Sequence, residues 1–271
     1  MIGFPGIKIN LGLHVIQKRA DGYHNIETCF YPVPYGDIIE ITEASHYKMH
    51  ISGIPIPGNA ESNICSKAFN IINQYHDIPA VNIHLHKIVP MGAGLGGGSA
   101  DGAWVLKMLN EIFHLSITAD TLHEYAAKLG SDCAFFLENM PKIGSQKGDV
   151  LESVAINLQN YHIYIICPDI HVSTPMAYAG ITPAKPKNSI SKILTTDIKS
   201  WKDTLINDFE TSVFLLHPRI AAIKQKLYEL GAVYASMSGS GSAVYGIFEN
   251  KVNIDEYFQG CKILYIPQIN K

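Results

Sequence analysis

The chain has 271 residues, 47% hydrophobic and 17% charged, with a formal net charge of −3. It can bury a substantial core as one large domain or two small ones, and with no basic run it argues against a nucleic-acid partner. Five scattered cysteines (Cys29, Cys65, Cys133, Cys167 and Cys261), odd in number and without metal spacing, read as free thiols of a cytoplasmic protein. The twelve histidines form no H-E-x-x-H or Cys/His cluster, so no bound transition metal is expected, nor any tightly bound metal or prosthetic group. No eighteen-residue apolar run predicts a membrane span, and the N-terminus lacks the pattern of a secretory signal.

Ile7 to Val15 reads as a strand, with Lys8 and Asn10 on one face and Ile7, Ile9 and Leu11 on the other. Lys8 suits a solvated strand face as well as a functional one. In Arg19-Ala20-Asp21-Gly22-Tyr23-His24, the Asp-Gly pair marks a turn. Tyr23 and His24 then set an aromatic face beside a hydrogen-bonding ring, which could stack on a heterocycle and read its edge. Thr28 to Phe30 and Asp37 to Ile41 read as strands joined through Pro32, Pro34 and Gly36, with a further short strand at Met49 to Ile51. Ser62-Asn63 precedes a helix over Ile64–Tyr75, so Asn63 is a helix cap or a ligand contact. Val81 to His86 alternates apolar and polar, as a half-solvated antiparallel strand does.

Six glycines then fall within Pro90-Met91-Gly92-Ala93-Gly94-Leu95-Gly96-Gly97-Gly98-Ser99-Ala100-Asp101. Glycine permits positive φ and lets another molecule approach the backbone closely. A helical pattern follows, near 101–113, so the glycines sit before a helix N-terminus, where unpaired N–H groups favour a phosphate. Ser99 adds a hydroxyl that could reach a phosphate oxygen or magnesium. The stretch lacks the Gly-Lys-Ser/Thr of a P-loop. Gly92, Gly94 and Gly97 match G-x-G-x-x-G, but the next segment, Ala119 to Leu129, reads as a second helix where a dinucleotide fold needs a strand.

Asp132 follows a glycine-marked helix end and precedes apolar residues. It is a turn or cap residue, or a partly buried carboxylate in need of a partner, for which Lys8 is a candidate. Gly144 to Gly148 is turn-rich, and Tyr161–Cys167 reads as an apolar strand. A soft boundary near 150 divides the chain into segments 1–150 and 151–271. Asn207-Asp208-Phe209-Glu210 opens a helical region and Ile220–Leu230 forms another helix. Ser238-Gly239-Ser240-Gly241-Ser242 then joins a strand as a second glycine–serine loop, either a simple connection or a flap over phosphates.

Together these stretches resemble the GHMP kinases, small-molecule kinases that do not use the P-loop. Their central P-x-G-x-G-L-G-[GS]-S-[SA] loop corresponds to Pro90 to Ala100, and their C-terminal glycine–serine loop to Ser238 to Ser242. A branch acting on a cytidylated acceptor carries K-[IL]-N-L-x-L-x-V…R-x-D-G-Y-H, matched here by Lys8 to Val15, Arg19, and Asp21 to His24. The similarity runs over nearly the whole chain. Gly130-Ser131-Asp132-Cys133-Ala134 departs from the family's usual Gly-Ala-Asp-Val-Pro but keeps the acid, and Tyr178 replaces a usual phenylalanine while keeping an aromatic face.

The resemblance implies an α+β fold: an N-terminal ATP-binding lobe, a C-terminal ferredoxin-like lobe, and an active site in the cleft. It implies transfer of the ATP γ-phosphate, as the Mg2+ complex, to the 2-hydroxyl of 4-diphosphocytidyl-2-C-methylerythritol. Pro90, Met91, Gly92, Ala93, Gly94, Leu95, Gly96, Gly97, Gly98, Ser99 and Ala100 would bind the triphosphate. Asn63 and Lys87 would lie near the adenine nucleoside. Lys8 and Asp132 would be catalytic, with Lys8 holding Asp132 ionised. Asn10, Tyr23, His24, Thr174 and Tyr178 would bind the acceptor, Tyr23 and Tyr178 sandwiching cytosine. Gly239, Ser240 and Gly241 would close over the phosphates. The Asp21-Gly22-Tyr23-His24 segment argues against a homoserine, mevalonate or sugar kinase of the same class. Retention of Lys8 and Asp132 argues against a catalytically dead binding module.

Overall fold

The computed structural model describes residues 1–268. In chain order the strands and helices are β1 (Ile2–Gly3), β2 (Gly6–Lys18), β3 (His24–Gly36), β4 (Ile38–Glu43), β5 (Lys48–Gly53), α1 (Ile64–His76), β6 (Val81–Lys87), α2 (Gly97–Ile112), α3 (Ala119–Leu129) and α4 (Cys133–Glu138). They continue with β7 (Lys142–Ser145), β8 (Val150–Ser153), β9 (His162–Pro168), α5 (Thr174–Ala179), α6 (Ile190–Ile193), α7 (Phe209–Leu216), α8 (Pro218–Glu229), β10 (Tyr234–Met237), β11 (Val244–Phe248) and β12 (Cys261–Ile266). Among the described residues no helix is long and apolar enough to cross a membrane.

The chain forms two compact units. The first comprises Met1–Ile7, Pro34–Met91 and Gly96–Met140; the second comprises Lys8–Val33, Gly92–Leu95 and the described residues from Pro141 on. A single division at 150 does not separate them, because the chain passes from one unit to the other five times. The reason is strand pairing: β3 is hydrogen-bonded to β7 and β7 to β8, which draws the early strands into the unit that holds the C-terminal sheet. Residues 269–271 of the expected C-terminal segment lie outside the described residues.

In the first unit a sheet of order β1-β4-β6-β5 carries helices on one side. Cys65, Ala68, Phe69 and Ile72 recur at helical spacing on α1, and pack with Ile39 and Ile41 of β4, Ile83 and Leu85 of β6, and Val105, Leu106 and Leu109 of α2. The alternation in β6 is real: Val81, Ile83 and Leu85 are buried while His84 faces out. Its pairing differs from expectation, antiparallel to β4 but parallel to β5, because α1 serves as a crossover between β5 and β6. Helix α2 starts at Gly97, earlier than the apolar pattern predicts. Gly96, at φ 70°, takes the cap position and leaves two glycines in the first turn.

The second unit holds two sheets, β2-β3-β7-β8 and β10-β11-β9-β12. The second sheet is antiparallel throughout. With α5 to α8 between β9 and β10, its strand order is that of a ferredoxin-like βαββαβ layer, in which a short 3-10 turn (Asp255–Tyr257) replaces the last helix. Ile220, Ile223 and Leu227 of α8 pack on Ala235, Met237, Val244 and Phe248 of that sheet. Strand β3 runs unbroken through Pro32 and Pro34. The prolines are tolerated because β7 pairs only with Thr28, Cys29 and Phe30, so no partner on that side needs their missing N–H. All five cysteines are free thiols.

Candidate active site

The glycine stretch has the conformation its composition demands. Gly92, Gly94 and Gly96 adopt φ 65°, 79° and 70°, so every second residue lies in the left-handed region. Ala100 N–H donates to the Gly96 carbonyl at 2.9 Å, the first helical bond of α2. The N–H groups of Gly97, Gly98 and Ser99 therefore point along the axis with no acceptor inside the helix, and no side chain caps them. A Cβ on Gly98 would meet nothing within 4 Å, so this backbone is open to a ligand; one on Gly97 would instead meet Val89 Cγ1 at 3.0 Å.

In the same unit, Lys87 is buried at the end of β6. It is 1% exposed, and its ammonium donates to Asp37 Oδ2 and, at 2.8 Å, to Asp101 Oδ2. Asn63 is the cap of α1, its Oδ1 accepting Cys65 N–H at 2.9 Å. Asp132 stands at the cap position of the short helix α4 without making a side-chain capping hydrogen bond there. Next to it, burial pushes the Cys133 thiol up to about 11, and its hydrogen bond with Ser99 opposes the rise only in part. Ser99 is thus tied to α4 as well as standing in the first turn of α2.

In the second unit, three distant stretches converge. Lys8 Nζ donates to Asn10 Oδ1 at 2.6 Å and to the Gly94 carbonyl at 2.9 Å. Ser238 Oγ donates to the same Gly94 carbonyl at 2.9 Å, and Ala243 N–H donates to the Ala93 carbonyl at 3.1 Å. Lys8 N–H donates to the Leu95 carbonyl at 2.9 Å. Asn10 is anchored by Nδ2 donation to Thr28 Oγ1 at 2.9 Å, and Tyr245 donates to its carbonyl at 2.7 Å. Lys8 and Asn10 are 4% and 1% exposed, and a buried ammonium is tolerable only with such partners. Gly94 has no substitute, since a Cβ there would lie 2.0 Å from the Ser238 carbonyl oxygen.

The 207–210 segment, read from the sequence as a helix start and as part of the family resemblance, supports the second glycine loop. Asn207, fully buried, donates through Nδ2 to the Met237 and Gly239 carbonyls, both at 2.8 Å. Glu210 Oε1 accepts Met237 N–H at 2.8 Å and Ser236 Oγ–H at 3.0 Å. Two polar side chains thus hold Gly239, Ser240 and Gly241 where β10 turns into β11. Thr174 joins them, its Oγ1 lying 3.2 Å from Ser240 Oγ.

The Arg19–His24 turn is built by its own charges. Arg19 Nε donates to Asp21, and Asp21 Oδ1 accepts Tyr23 N–H at 3.1 Å. Tyr23 is left 61% exposed, with Lys147 Nζ 5.3 Å from its ring centroid. Lys147 lies in a segment whose sequence suggested only a turn; no spacing signal marked it. His24 stacks face to face on Tyr178, with centroids 4.4 Å apart and planes 15° apart. A sandwich of Tyr178 against cytosine therefore requires His24 to leave that face. Burial, then the charge of Lys18, lowers the His24 pKa, so its imidazole is neutral at pH 7.

A glycine-capped helix N-terminus, a buried lysine held on a glycine-loop carbonyl that Ser238 of the second loop also engages, and a ferredoxin-like sheet define a kinase of the non-P-loop kind. Family models described as GHMP kinases N terminal domain and GHMP kinases C terminal match residues 63–139 and 189–262. A 4-diphosphocytidyl-2-C-methyl-D-erythritol kinase of Parabacteroides distasonis is 47% identical, the alignment covering 96% of this chain and 97% of that one. Another, of Cytophaga hutchinsonii, is 48% identical over 93% of each. A crystal structure of 4-(cytidine 5'-diphospho)-2C-methyl-D-erythritol kinase superposes with a TM-score of 0.79 at 29% identity, covering 91% of this chain and 90% of that one. The chain belongs to this family of GHMP kinases, and ATP is its phosphoryl donor.

Proposed function

We propose that the chain transfers the γ-phosphate of ATP to the 2-hydroxyl of 4-diphosphocytidyl-2-C-methyl-D-erythritol, a step of the non-mevalonate isoprenoid route. The observation that carries the reading is the convergence of Lys8, Asn10, Gly94 and Ser238 on one carbonyl-centred cluster, in a chain that also carries the aromatic turn Asp21-Gly22-Tyr23-His24.

Phosphoryl transfer asks for positioning and charge stabilisation more than for covalent chemistry. The N–H groups of Gly97, Gly98 and Ser99 hold triphosphate oxygens, and Gly239, Ser240 and Gly241 are a second set of phosphate contacts. The Ser99 hydroxyl would hold the Mg2+ that accompanies ATP, which would supply neutralisation of the triphosphate charge. Lys8 stabilises charge developing on the transferred group. Asp132 accepts the proton of the acceptor hydroxyl. Asn10 fixes the Lys8 ammonium and orients the polyol. Cytosine stacks on exposed Tyr23; His24 turns to its polar edge, and Tyr178 then takes the other face, with Thr174 alongside. Asn63, the cap of α1, remains the candidate beside the adenine nucleoside, whereas Lys87 enters as part of the loop's anchor, because it has no exposed ammonium to offer.

Label transfer tests this. With γ-labelled ATP, the label is expected in a phosphate ester on the 2-hydroxyl oxygen of the cytidylated acceptor; label found only in inorganic phosphate would contradict it.

A further inference from the structure

The glycine loop leaves β6 at Lys87 and enters α2 at Gly97, and its two ends are tied together beneath it. Lys87, the last residue of β6, donates to Asp101 Oδ2 in α2 at 2.8 Å and also to Asp37 Oδ2, just ahead of β4. Asp37 Oδ1 accepts the next two backbone N–H groups of the loop, Ile88 at 2.6 Å and Val89 at 2.9 Å. All three charged side chains are 1% exposed. A Cβ built on Gly97 would lie 3.5 Å from the Lys87 ammonium, so the first residue of α2 rests directly on this cluster.

We propose that Asp37, Lys87 and Asp101 are positioning residues for phosphoryl transfer, a buried clamp that holds the open N–H groups of Gly97, Gly98 and Ser99 in place for the triphosphate. The inference rests on the reading of the glycine loop as the phosphate site. A buried ion pair adds little net stability over an apolar replacement of the same shape, so its stability alone is a poor reason for one here. What it supplies is geometry: one ammonium links both ends of the loop to a neighbouring strand.

The clamp also carries a charge consequence. Two carboxylates on one ammonium leave a negative charge under an anion site when both are ionised. Asp101 Oδ1 is buried without a hydrogen-bond partner, and burial pushes Asp101 up to about 7, against the pull of Lys87. The other titratable groups facing it are Asp37, Lys87 and the Cys65 thiol, which burial keeps neutral. As pH rises through that value Asp101 ionises, and the added negative charge opposes ATP.

The test uses the full chain with Asp101→Ala and Asp101→Asn. Asp101→Ala is expected to raise the KM for ATP about tenfold, the equivalent of one lost charge-assisted hydrogen bond. The KM for the acceptor should not move, and kcat should change less. Asp101→Asn, which keeps shape and a hydrogen bond to Lys87, should restore the KM at pH 7. ATP affinity of the wild type should weaken roughly threefold or more between pH 6 and 8.5 relative to Asp101→Asn, since the ATP titration is common to both. A lowered melting temperature with unchanged ATP KM in Asp101→Ala would reduce the clamp to a structural pair and overturn the inference. If Asp101→Ala does not fold, identical pH dependence in wild type and Asp101→Asn overturns it instead. Wild type that binds no ATP at all would sink the reading of the loop, and this inference with it.

Discussion

Gly98→Val separates ligand approach from folding more cleanly than any other change in the loop. A Cβ at Gly98 meets nothing within 4 Å, and Gly98 lies in the first turn of α2 with no left-handed φ to lose. Valine there should not disturb packing, and in a helix it is favoured over glycine by about 0.3 kcal/mol. The melting temperature should therefore hold or rise by about 1 °C. The side chain instead enters the space in front of the N–H groups. Losing one N–H to phosphate contact costs about 1.5–3 kcal/mol, so ATP affinity should fall about ten- to a hundredfold. Gly97→Val would be a poorer probe: its Cβ lies 3.0 Å from Val89 Cγ1, and overpacking of about 1–3 kcal/mol would confound the result. The assay is calorimetric titration of ATP into the folded variant beside a thermal melt. Normal ATP binding by Gly98→Val would refute the assignment of the triphosphate to this helix end.

Asp132→Asn keeps shape but cannot accept the proton; turnover should fall by about two to four powers of ten with ATP affinity little changed, and near-normal turnover would show that no base acts at Asp132. Tyr23→Ala should weaken the cytidylated acceptor about ten- to a hundredfold through lost stacking, leaving ATP unaffected, as competition binding would report. His24→Ala should instead erase the preference for the cytidine acceptor over its uridine analogue. Because the His24 pKa lies below its ordinary value, wild-type preference should stay level above pH 7 and decline only as the imidazole protonates at acid pH; specificity constants across pH check both statements. Asn207→Ala leaves the Met237 and Gly239 carbonyls without their donor, at about 1–3 kcal/mol per buried group, so it should lower the melting temperature by several degrees and reduce kcat. An unchanged melt would contradict its role under the second loop.

Local signals carried much of the fold. Helix α3 begins and ends where its periodicity does, and the Asp21-Gly22 turn forms as its residues dictate. Strand β3 escaped because proline is a breaker only where its N–H is needed, which depends on a partner strand far along the chain. The two compact units could not be read from composition, since they interleave in sequence. At the site, the glycine loop announced itself through density alone. Lys87 did not: a lysine at the end of an alternating strand reads as solvated, and only the burial of Asp37 and Asp101 around it reveals the clamp. Asn207 stood out only through the family resemblance and its role stayed hidden, because that role lies in two carbonyls about thirty residues onward.

The central claim is that this chain phosphorylates a cytidylated sugar alcohol and nothing simpler. The direct measurement is the rate of ADP formation by the purified chain with MgATP and, in separate reactions, 4-diphosphocytidyl-2-C-methyl-D-erythritol, 2-C-methyl-D-erythritol, homoserine and mevalonate. Rapid turnover with the cytidylated acceptor alone is the result predicted from Tyr23, His24, Lys8 and Asp132 together. Turnover with homoserine or mevalonate, and none with the cytidylated acceptor, would contradict it.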